Sequence, residues 1–313
     1  MSSLLLHRIL VLAAMLACLA GERRAIADEP GPAAPVVLPR TEQFDVTSRK
    51  DLTYRIFVSL PNGKPKETGA PVVYLTDANA DFPVVAAAAR RLSQGDPVGA
   101  IVVGIGYPEA DPRAHQDRRS YDLVGPASEE FLKTLPGGGA NRKTGGNDQF
   151  LAFLEEELKP LIEKRYPVDR TRQTLFGHSF GGLFTLHALF TRPASFQNYV
   201  ASSPSIWWSN ASILDEERAF LERQSKEPIP VRLMISCGEW EETPPPNSDP
   251  ARIAMLKPRK MVSNARAMVQ RLTDAKLEGV TARFQEFPEE DHGSVLLPAA
   301  SRGMRFALDG ARE

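Results

Sequence analysis

The pentapeptide Gly177-His178-Ser179-Phe180-Gly181 has the residue types and spacing to present a serine nucleophile at a sharp turn. It matches the G-x-S-x-G pattern, in which serine lies between a strand and a helix and larger side chains in place of the glycines would clash with neighbouring backbone. The apolar residues "TLF" precede it, and "LFTLHALF", with helical character, follows it. The sequence therefore predicts that this turn exposes the Ser179 hydroxyl. A purely structural glycine turn is the alternative interpretation.

A serine hydroxyl needs a histidine base within hydrogen-bond reach to act as a nucleophile. Of the five histidines, His292 in "EEDHGSV" directly follows the last predicted strand. The chain order serine, acid, histidine places the base there. We expect the His178 side chain to point away from its neighbour's hydroxyl, His187 to pack against the sheet, and His115 to be a solvated loop residue. The sequence therefore predicts His292 as the base.

The acid of such a triad is expected after the predicted strand "RLMIS", where the segment "GEWEE" supplies three carboxylates: Glu239, Glu241 and Glu242. Glu241 lies far enough beyond the strand to curl toward His292 and is the preferred acid, with Glu239 next. Asp291 is badly placed to bond the ring of its neighbour, so we interpret it as a loop carboxylate. A serine–histidine dyad without an acid remains open.

Two backbone N–H groups would complete the site by binding the oxyanion of the reaction. The N–H of Phe180, at the start of the helix after the serine, is the first expected donor. The second is expected from the loop after "PVVYLTD", where Ala78 and Asn79 are equally good choices. Asp77 is interpreted as a turn former at the strand end.

Alternating strands and helices must position these residues. "FDVTS" and "LTYRIFVSLP" alternate apolar and polar residues, as a half-buried hairpin does. "PVVYLTD" and "AIVVGIGY" are nearly continuous apolar runs, which indicates strands covered on both faces of a parallel sheet. Helical and strand-like segments then alternate to residue 308, which predicts an α/β fold with a doubly wound, mainly parallel sheet.

The chain divides into a leader and one predicted domain. Residues 1–27 have the basic start, short apolar run and small-residue cleavage site of a signal peptide, and residues 28–41 are a flexible lead-in rich in proline and alanine. Residues 42–310 form the domain, with an aperiodic loop insertion near 108–147 that we expect to act as a flap over a pocket or as a disordered insertion. The protein is therefore expected to be exported, to the periplasm or beyond.

Composition excludes several classes of partner. The 38 basic and 39 acidic residues nearly balance and form no long run of one sign, so neither nucleic acid nor an anionic membrane surface is an expected partner. The apolar run of the leader is too short for a stable membrane span. A small-molecule substrate is expected, and the predicted chemistry needs no metal or cofactor.

Further motifs link the chain to a known family. They are "VVYLTDANADF", "RRSYDL", "GGNDQFLAFLEEELKPLIEKRYPVD", "SPSIWWSN", "GEWEE" and "DHGSV". With the serine turn, they make the chain similar to the bacterial α/β-hydrolases that include the enterobactin-type siderophore trilactone esterases and, more distantly, the esterase D-like enzymes. The resemblance covers about residues 42 to 308. Ala78 stands where that family often has glycine.

The resemblance implies an α/β-hydrolase fold and a serine hydrolase of carboxylic esters, with Ser179 as nucleophile, His292 as base and the acid in "GEWEE". Trp207 and Trp208 would border the substrate pocket, although core packing is an equal alternative. Arg118 and Arg119 could attract an anionic substrate, and a solvated loop face is an equal alternative for them. A siderophore trilactone suits an exported enzyme, and simple acyl or aryl esters fit as well. An acyltransferase that uses the same serine and an inactive binding protein of this fold remain alternatives.

Overall fold

The computed structural model describes residues 35–63, 67–92, 99–135, 139 and 142–309. The predicted signal peptide 1–27 and residues 28–34 of the lead-in lie outside the described residues. Arg40–Glu313 forms one compact unit, which includes the predicted domain 42–310.

An eight-stranded sheet forms the centre of this unit, with strand order β1-β2-β4-β3-β5-β6-β7-β8. The first two strands form an antiparallel hairpin, β2 pairs antiparallel with β4, and β3 to β8 run parallel. The strands are β1 (Thr41–Thr47), β2 (Thr53–Ser59), β3 (Ala70–Leu75), β4 (Ile101–Gly106), β5 (Val168–His178), β6 (Asn198–Ser202), β7 (Val231–Gly238) and β8 (Val280–Phe287). The predicted hairpin and mainly parallel sheet are confirmed.

Helices connect the strands. They are α1 (Ala78–Leu92), α2 (Pro112–Leu123), α3 (Glu129–Lys133), α4 (Asn147–Phe153), α5 (Lys159–Arg165), α6 (Phe180–Thr191), α7 (Trp208–Ala211), α8 (Ile213–Gln224), α9 (Pro250–Leu256), α10 (Met261–Asp274) and α11 (Leu296–Leu308). A π-helical turn, Leu154–Leu158, joins α4 to α5, and 3₁₀ turns occur at Pro193–Ser195, Glu239–Glu241 and Lys257–Arg259.

Both faces of the central sheet are buried, as the continuous apolar runs predict. In β3, Val72 and Tyr74 belong to one apolar cluster, whereas Val73 and Leu75 belong to another on the opposite face. The second cluster includes residues of α1 and α11, and the first includes residues of α4, α6, α8 and α10. Successive side chains of a strand point to opposite faces, so these two helical layers enclose the sheet.

The segment 108–147 differs from the aperiodic loop that the sequence predicted. It contains α2, whose N-cap Asp111 accepts a hydrogen bond from the Arg113 N–H, and α3, whose N-cap Ser128 accepts one from the Phe131 N–H. Only three residues of the twelve-residue helix α2 are buried. Such a helix carries almost no apolar stripe, so its sequence shows capping residues but no helical periodicity.

The described residues include no helix long and apolar enough to cross a membrane. Nor do they bring together three or more His, Cys, Asp or Glu side chains in an arrangement that could hold a metal ion.

Candidate active site

Ser179 lies in the turn between β5 and α6 with φ 61° and ψ −116°, a conformation that residues other than glycine rarely adopt. A Cβ atom at Gly177 would lie 2.0 Å from the Gly181 carbonyl oxygen, and one at Gly181 would lie 2.1 Å from Thr76 Oγ1. Neither position therefore has room for a side chain. The strand–turn–helix context predicted for the serine is what the structure contains.

The Ser179 hydroxyl is the first group of a hydrogen-bonded chain. His292 Nε2 lies 2.9 Å from Ser179 Oγ, and His292 Nδ1 lies 2.6 Å from Glu241 Oε2. A carboxylate accepts the Nδ1–H, which leaves Nε2 free to accept the serine proton. The geometry is that of a serine–histidine–glutamate triad, as the sequence predicted for Ser179, His292 and Glu241.

The carboxylate of Glu241 is buried, with 1% of the residue exposed, and both its oxygens have partners. Oε1 accepts hydrogen bonds from the Gly238 N–H at 2.7 Å and from Ser203 Oγ at 2.5 Å. The 3₁₀ turn that follows β7 directs the side chain back across the end of the strand. Ser203 is a member of the site that the sequence analysis missed, although its place just after β6 was a usable signal.

The neighbouring acidic residues bond elsewhere. Glu242 accepts hydrogen bonds from the N–H and hydroxyl of Ser263, and Glu239 accepts one from the Glu289 N–H. Asp291 pairs with Arg252 at 2.8 Å and caps its own loop, as expected of a loop carboxylate. Hydrogen bonds from that loop and from Arg252 lower the pKa of Asp291 to about 2.

Among the described residues, the other histidines do not bond to the Ser179 hydroxyl. His178 Nδ1 shares a hydrogen bond with Ser202 Oγ at 3.1 Å, and its ring lies 4.8 Å from that of His292. Burial, together with the charge of His292, lowers the pKa of His178 to about 3. A neutral ring is therefore packed beside the proposed base, where it does not repel an imidazolium. His187 lies between two carboxylates on the helical layer, 2.9 Å from Glu216 and 3.3 Å from Asp148.

Three residues were predicted to supply the oxyanion donors, and all of them begin helices. Phe180 is the first residue of α6, while Ala78 and Asn79 are the first two of α1. The N–H groups in the first turn of a helix have no partner within the helix. The Asn79 side chain bonds both the N–H and the carbonyl of Tyr107, so only its backbone remains a possible donor. Ala78 and Asn79 both stay predictions for the second donor.

A cleft of about 260 Å³ opens beside Ser179 and His292. Aromatic surface from Phe180, Trp207 and Trp208 lines it, as expected from the sequence for the two tryptophans. Trp208 is 1% exposed and lies edge-on to Phe180, so it also belongs to the core. Both interpretations of the tryptophan pair, pocket wall and core packing, therefore describe the structure.

Three arginines line the same cleft: Arg119, Arg142 and Arg259. The Arg259 guanidinium lies 4.7 Å from the centre of the Trp207 ring, and burial lowers its pKa. Arg142 and Arg259 were missed by the sequence analysis, because each lies in an irregular segment without a motif around it. Both reach the cleft from insertions between elements of the sheet.

The prediction that Arg118 borders the pocket is wrong. Its guanidinium pairs with Glu109 at 2.9 Å and lies over the rings of Tyr54 and Tyr107, 5.2 and 5.3 Å from their centres. Adjacent residues of a helix project in directions about 100° apart, so Arg118 and Arg119 face different surroundings. Arg119 is the one that lines the cleft.

Comparison with known proteins finds esterases. A family model described as "Putative esterase" matches residues 47–293. The ferri-bacillibactin esterase BesA of Bacillus subtilis is 38% identical over 276 residues, which cover 87% of this chain and 90% of the relative. The siderophore triacetylfusarinine C esterase of Aspergillus fumigatus is 39% identical over 290 residues, covering 88% and 95%.

Among solved structures, the siderophore hydrolase EstA from Aspergillus nidulans superimposes with a TM-score of 0.78 at 34% identity, covering 90% of this chain and all of that one. The family model spans most of the sheet and all three members of the triad. The chain belongs to this esterase family of the α/β-hydrolase fold, and it is a serine hydrolase of carboxylic esters.

Proposed function

We propose that this protein is an exported siderophore esterase, which hydrolyses the ester bonds of an iron-chelating compound through an acyl-enzyme on Ser179. The observation that carries the proposal is the hydrogen-bonded chain Ser179–His292–Glu241 at the edge of a cleft with aromatic and cationic walls. The names of its relatives, siderophore esterases with coverage of most of both chains, support the substrate class.

Each member of the chain has a defined step in the proposed reaction. His292 Nε2 takes the Ser179 proton as the oxygen attacks the ester carbonyl, and the carboxylate of Glu241 stabilises the imidazolium that forms. The Phe180 N–H, with that of Ala78 or Asn79, binds the oxyanion. His292 then protonates the leaving alkoxide, and a water molecule activated by His292 releases the acyl group from Ser179.

Charge and shape favour an anionic aromatic substrate. Arg142 and Arg259 line the cleft, and among the described lining residues the only carboxylate is the buried Glu241. A ferric tris-catecholate is a trianion with aryl rings, whereas a ferric tris-hydroxamate is neutral. Positive potential in a cleft raises the local concentration of an anion and its rate of association. Flat rings can also stack on Trp207.

The test is a comparison of esters on the purified protein. We expect kcat/KM to be highest for the ferric complex of a catecholate trilactone, lower for the iron-free trilactone and lowest for short p-nitrophenyl esters. Hydrolysis of p-nitrophenyl esters without any cleavage of siderophore esters would contradict the substrate class and leave the ester chemistry intact. Product analysis with added glycerol would detect transfer of the acyl group to an acceptor alcohol instead of water.

Export is the second part of the proposal, and it is supported by residues 1–27 of the sequence. Mass spectrometry of the protein from fractionated cells should find an N-terminus at Asp28 in the exported fraction. An intact leader in the cytoplasmic fraction would contradict it.

A further inference from the structure

Arg119 forms a two-pronged ion pair at the border of the cleft. Its Nε donates to Asp77 Oδ1 at 2.7 Å and its Nη2 to Asp77 Oδ2 at 2.9 Å. The side chain of Arg119 is 18% exposed and that of Asp77 is 9% exposed. The paired geometry of guanidinium and carboxylate fixes orientation as well as distance, which a single hydrogen bond does not.

Asp77 occupies the turn that precedes helix α1, and its backbone is in the left-handed region with φ 56°. Its carbonyl accepts hydrogen bonds from the N–H groups of Ala80 and Asp81, both at 3.1 Å, so it sets the start of the helix. A residue with a side chain holds such a conformation only where its surroundings impose it. The directions of the Ala78 and Asn79 N–H groups therefore depend on how firmly Asp77 is held.

The same ion pair also touches the turn that carries the serine. A Cβ atom at Gly181 would lie 3.3 Å from Asp77 Oδ2, so the carboxylate packs directly on the start of α6. The Arg119 guanidinium carbon lies 5.1 Å from the centre of the Phe180 ring. Arg119 and Asp77 therefore contact both segments that are proposed to donate to the oxyanion, the start of α1 and the start of α6.

We infer that Arg119 is a positioning residue that sets the geometry of the oxyanion hole through Asp77. Oxyanion donors stabilise a transition state only when they are held at the position where the negative charge develops. The ion pair holds the α1 turn against the serine turn, so the two donors keep a fixed separation while ester binds and reacts. This inference rests on the proposed reaction at Ser179.

Direct binding of the substrate by Arg119 predicts a different result from a positioning role. If Arg119 bound an anionic group of the substrate, its loss would raise KM for anionic esters and leave neutral esters unchanged, and removal of the Asp77 charge would not reproduce it. A positioning role lowers kcat for both kinds of ester. Positioning also predicts weaker binding of an analogue of the tetrahedral intermediate, because its oxygen occupies the oxyanion hole.

The experiment compares Arg119→Gln, Asp77→Asn and the double variant on a neutral ester, p-nitrophenyl acetate. We expect Arg119→Gln to lower kcat about 10²-fold with KM within about threefold, and the inhibition constant of phenylboronic acid to rise by a similar factor as kcat falls. Asp77→Asn should lower kcat at least about tenfold. The double variant should be no more than about threefold worse than Arg119→Gln, because both substitutions break one contact.

Arg271→Gln is the matched control. Arg271 makes a pair of the same two-pronged kind with Glu217, at 2.8 and 2.6 Å, between α10 and α8. Its loss should lower the thermal midpoint and leave kcat and phenylboronic acid binding within about twofold. A fall in kcat in this control as large as in Arg119→Gln would attribute the effect to general destabilisation and overturn the inference.

Two further variants, Arg119→Lys and Ser179→Ala, distinguish a failure of this inference from a failure of the proposed function. Arg119→Lys keeps the charge without the paired geometry, and it decides the question if Arg119→Gln does not fold. We expect about a tenfold loss of kcat for it, and full kcat would overturn the inference. Normal kcat in Arg119→Gln alongside an inactive Ser179→Ala variant would overturn the role of Arg119 alone. Full activity of Ser179→Ala would instead overturn the proposed function.

Discussion

The carboxyl edge of the sheet and the segment 108–147 meet at the same cleft, but they hold their buried acidic groups in opposite ways. At the edge, both oxygens of Glu241 accept hydrogen bonds, from Ser203, Gly238 and His292. In the segment, Asp122 is buried with no strong hydrogen bond to either oxygen among the described residues, and the hydroxyl groups of Tyr54 and Tyr107 are its polar neighbours. Its nearest cation is Arg118, 3.9 Å away.

This difference indicates which functions the two regions have. A buried carboxylate with three donors is fixed in position and able to orient His292 and stabilise its charge. Burial of Asp122 raises its pKa to about 7, although Arg118 and the hydroxyl groups of Tyr54 and Tyr107 oppose this in part. The carboxyl edge of the sheet therefore carries the reactive groups. The segment contributes packing, and it supplies Arg119 and Arg142 to the wall of the cleft. Substitutions at the edge should affect kcat, and those in the segment, apart from Arg119, should affect stability or KM.

Removing the nucleophile from the carboxyl edge of the sheet has the largest expected effect on kcat. We expect Ser179→Ala to lower kcat by a factor on the order of 10⁶, because His292 and Glu241 have no hydroxyl left to activate. Turnover of p-nitrophenyl acetate measures this loss, and labelling by a fluorophosphonate probe should disappear with it. Unchanged circular dichroism would show that the variant is folded. Retained turnover in the purified variant would refute the acyl-enzyme mechanism.

Replacing the acid tests whether the partners of Glu241 matter for the reaction. Glu241→Gln should lower kcat by about 10⁴ or less, because a neutral amide cannot stabilise the imidazolium and favours the wrong tautomer of His292. Glu242→Gln is the matched control in the same segment, since Glu242 bonds Ser263 instead. It should stay within about threefold of the original kcat. Equal activity of the two variants would favour a serine–histidine dyad.

The reactive edge could be predicted from the sequence because its geometry follows from chain order. Parallel strands place their carboxyl ends at one edge, so residues just after β5, β7 and β8 must meet there. Ser179 follows β5 directly, whereas Glu241 and His292 lie three and five residues after the ends of β7 and β8. The fold itself was predictable for the same reason, since continuous apolar runs indicate strands covered on both faces.

The segment 108–147 could not be predicted in the same way. Helix α2 is held by ion pairs and capping and buries only three residues, so its sequence lacks an apolar stripe. Which of two adjacent arginines faces the cleft depends on the helix rotation, which is set by Asp77 and Glu109 on other elements. These partners lie outside the helix, and charged residues pair with many partners equally well. The wrong choice of Arg118 follows from that.

The buried carboxyl group of Asp122 predicts a pH dependence of stability. A carboxyl group whose pKa is higher in the folded than in the unfolded protein stabilises the fold at low pH, and this contribution is lost as the pH rises through the folded value. For Asp122 the loss extends from about pH 4, its ordinary value, to about pH 7. Asp122→Asn cannot ionise, so its free energy of unfolding should fall less than that of the original protein between pH 5 and 8, by about 1–3 kcal/mol.

Urea unfolding at several pH values measures this difference, and kcat should change little. Asp117→Asn, at an exposed position of the same helix, is the control and should follow the original protein at every pH. Parallel curves for the Asp122 variant and the original protein would mean that Asp122 finds a partner in solution. The contrast with Glu241 would then disappear.

The smallest expected effect concerns Arg142, which the segment contributes to the wall of the cleft. Arg142→Gln should raise KM for a ferric tris-catecholate ester up to about fivefold and leave KM for p-nitrophenyl acetate unchanged, because a partly exposed charge contributes up to about 1 kcal/mol. The difference should vanish near 0.5 M salt, where charges more than about 4 Å apart are screened.

Arg302→Gln, at an exposed position of α11, is the matched loss of charge and should leave both KM values unchanged. Equal shifts in the two arginine variants would assign the effect to net charge, and a shift with the neutral ester would assign it to the shape of the cleft.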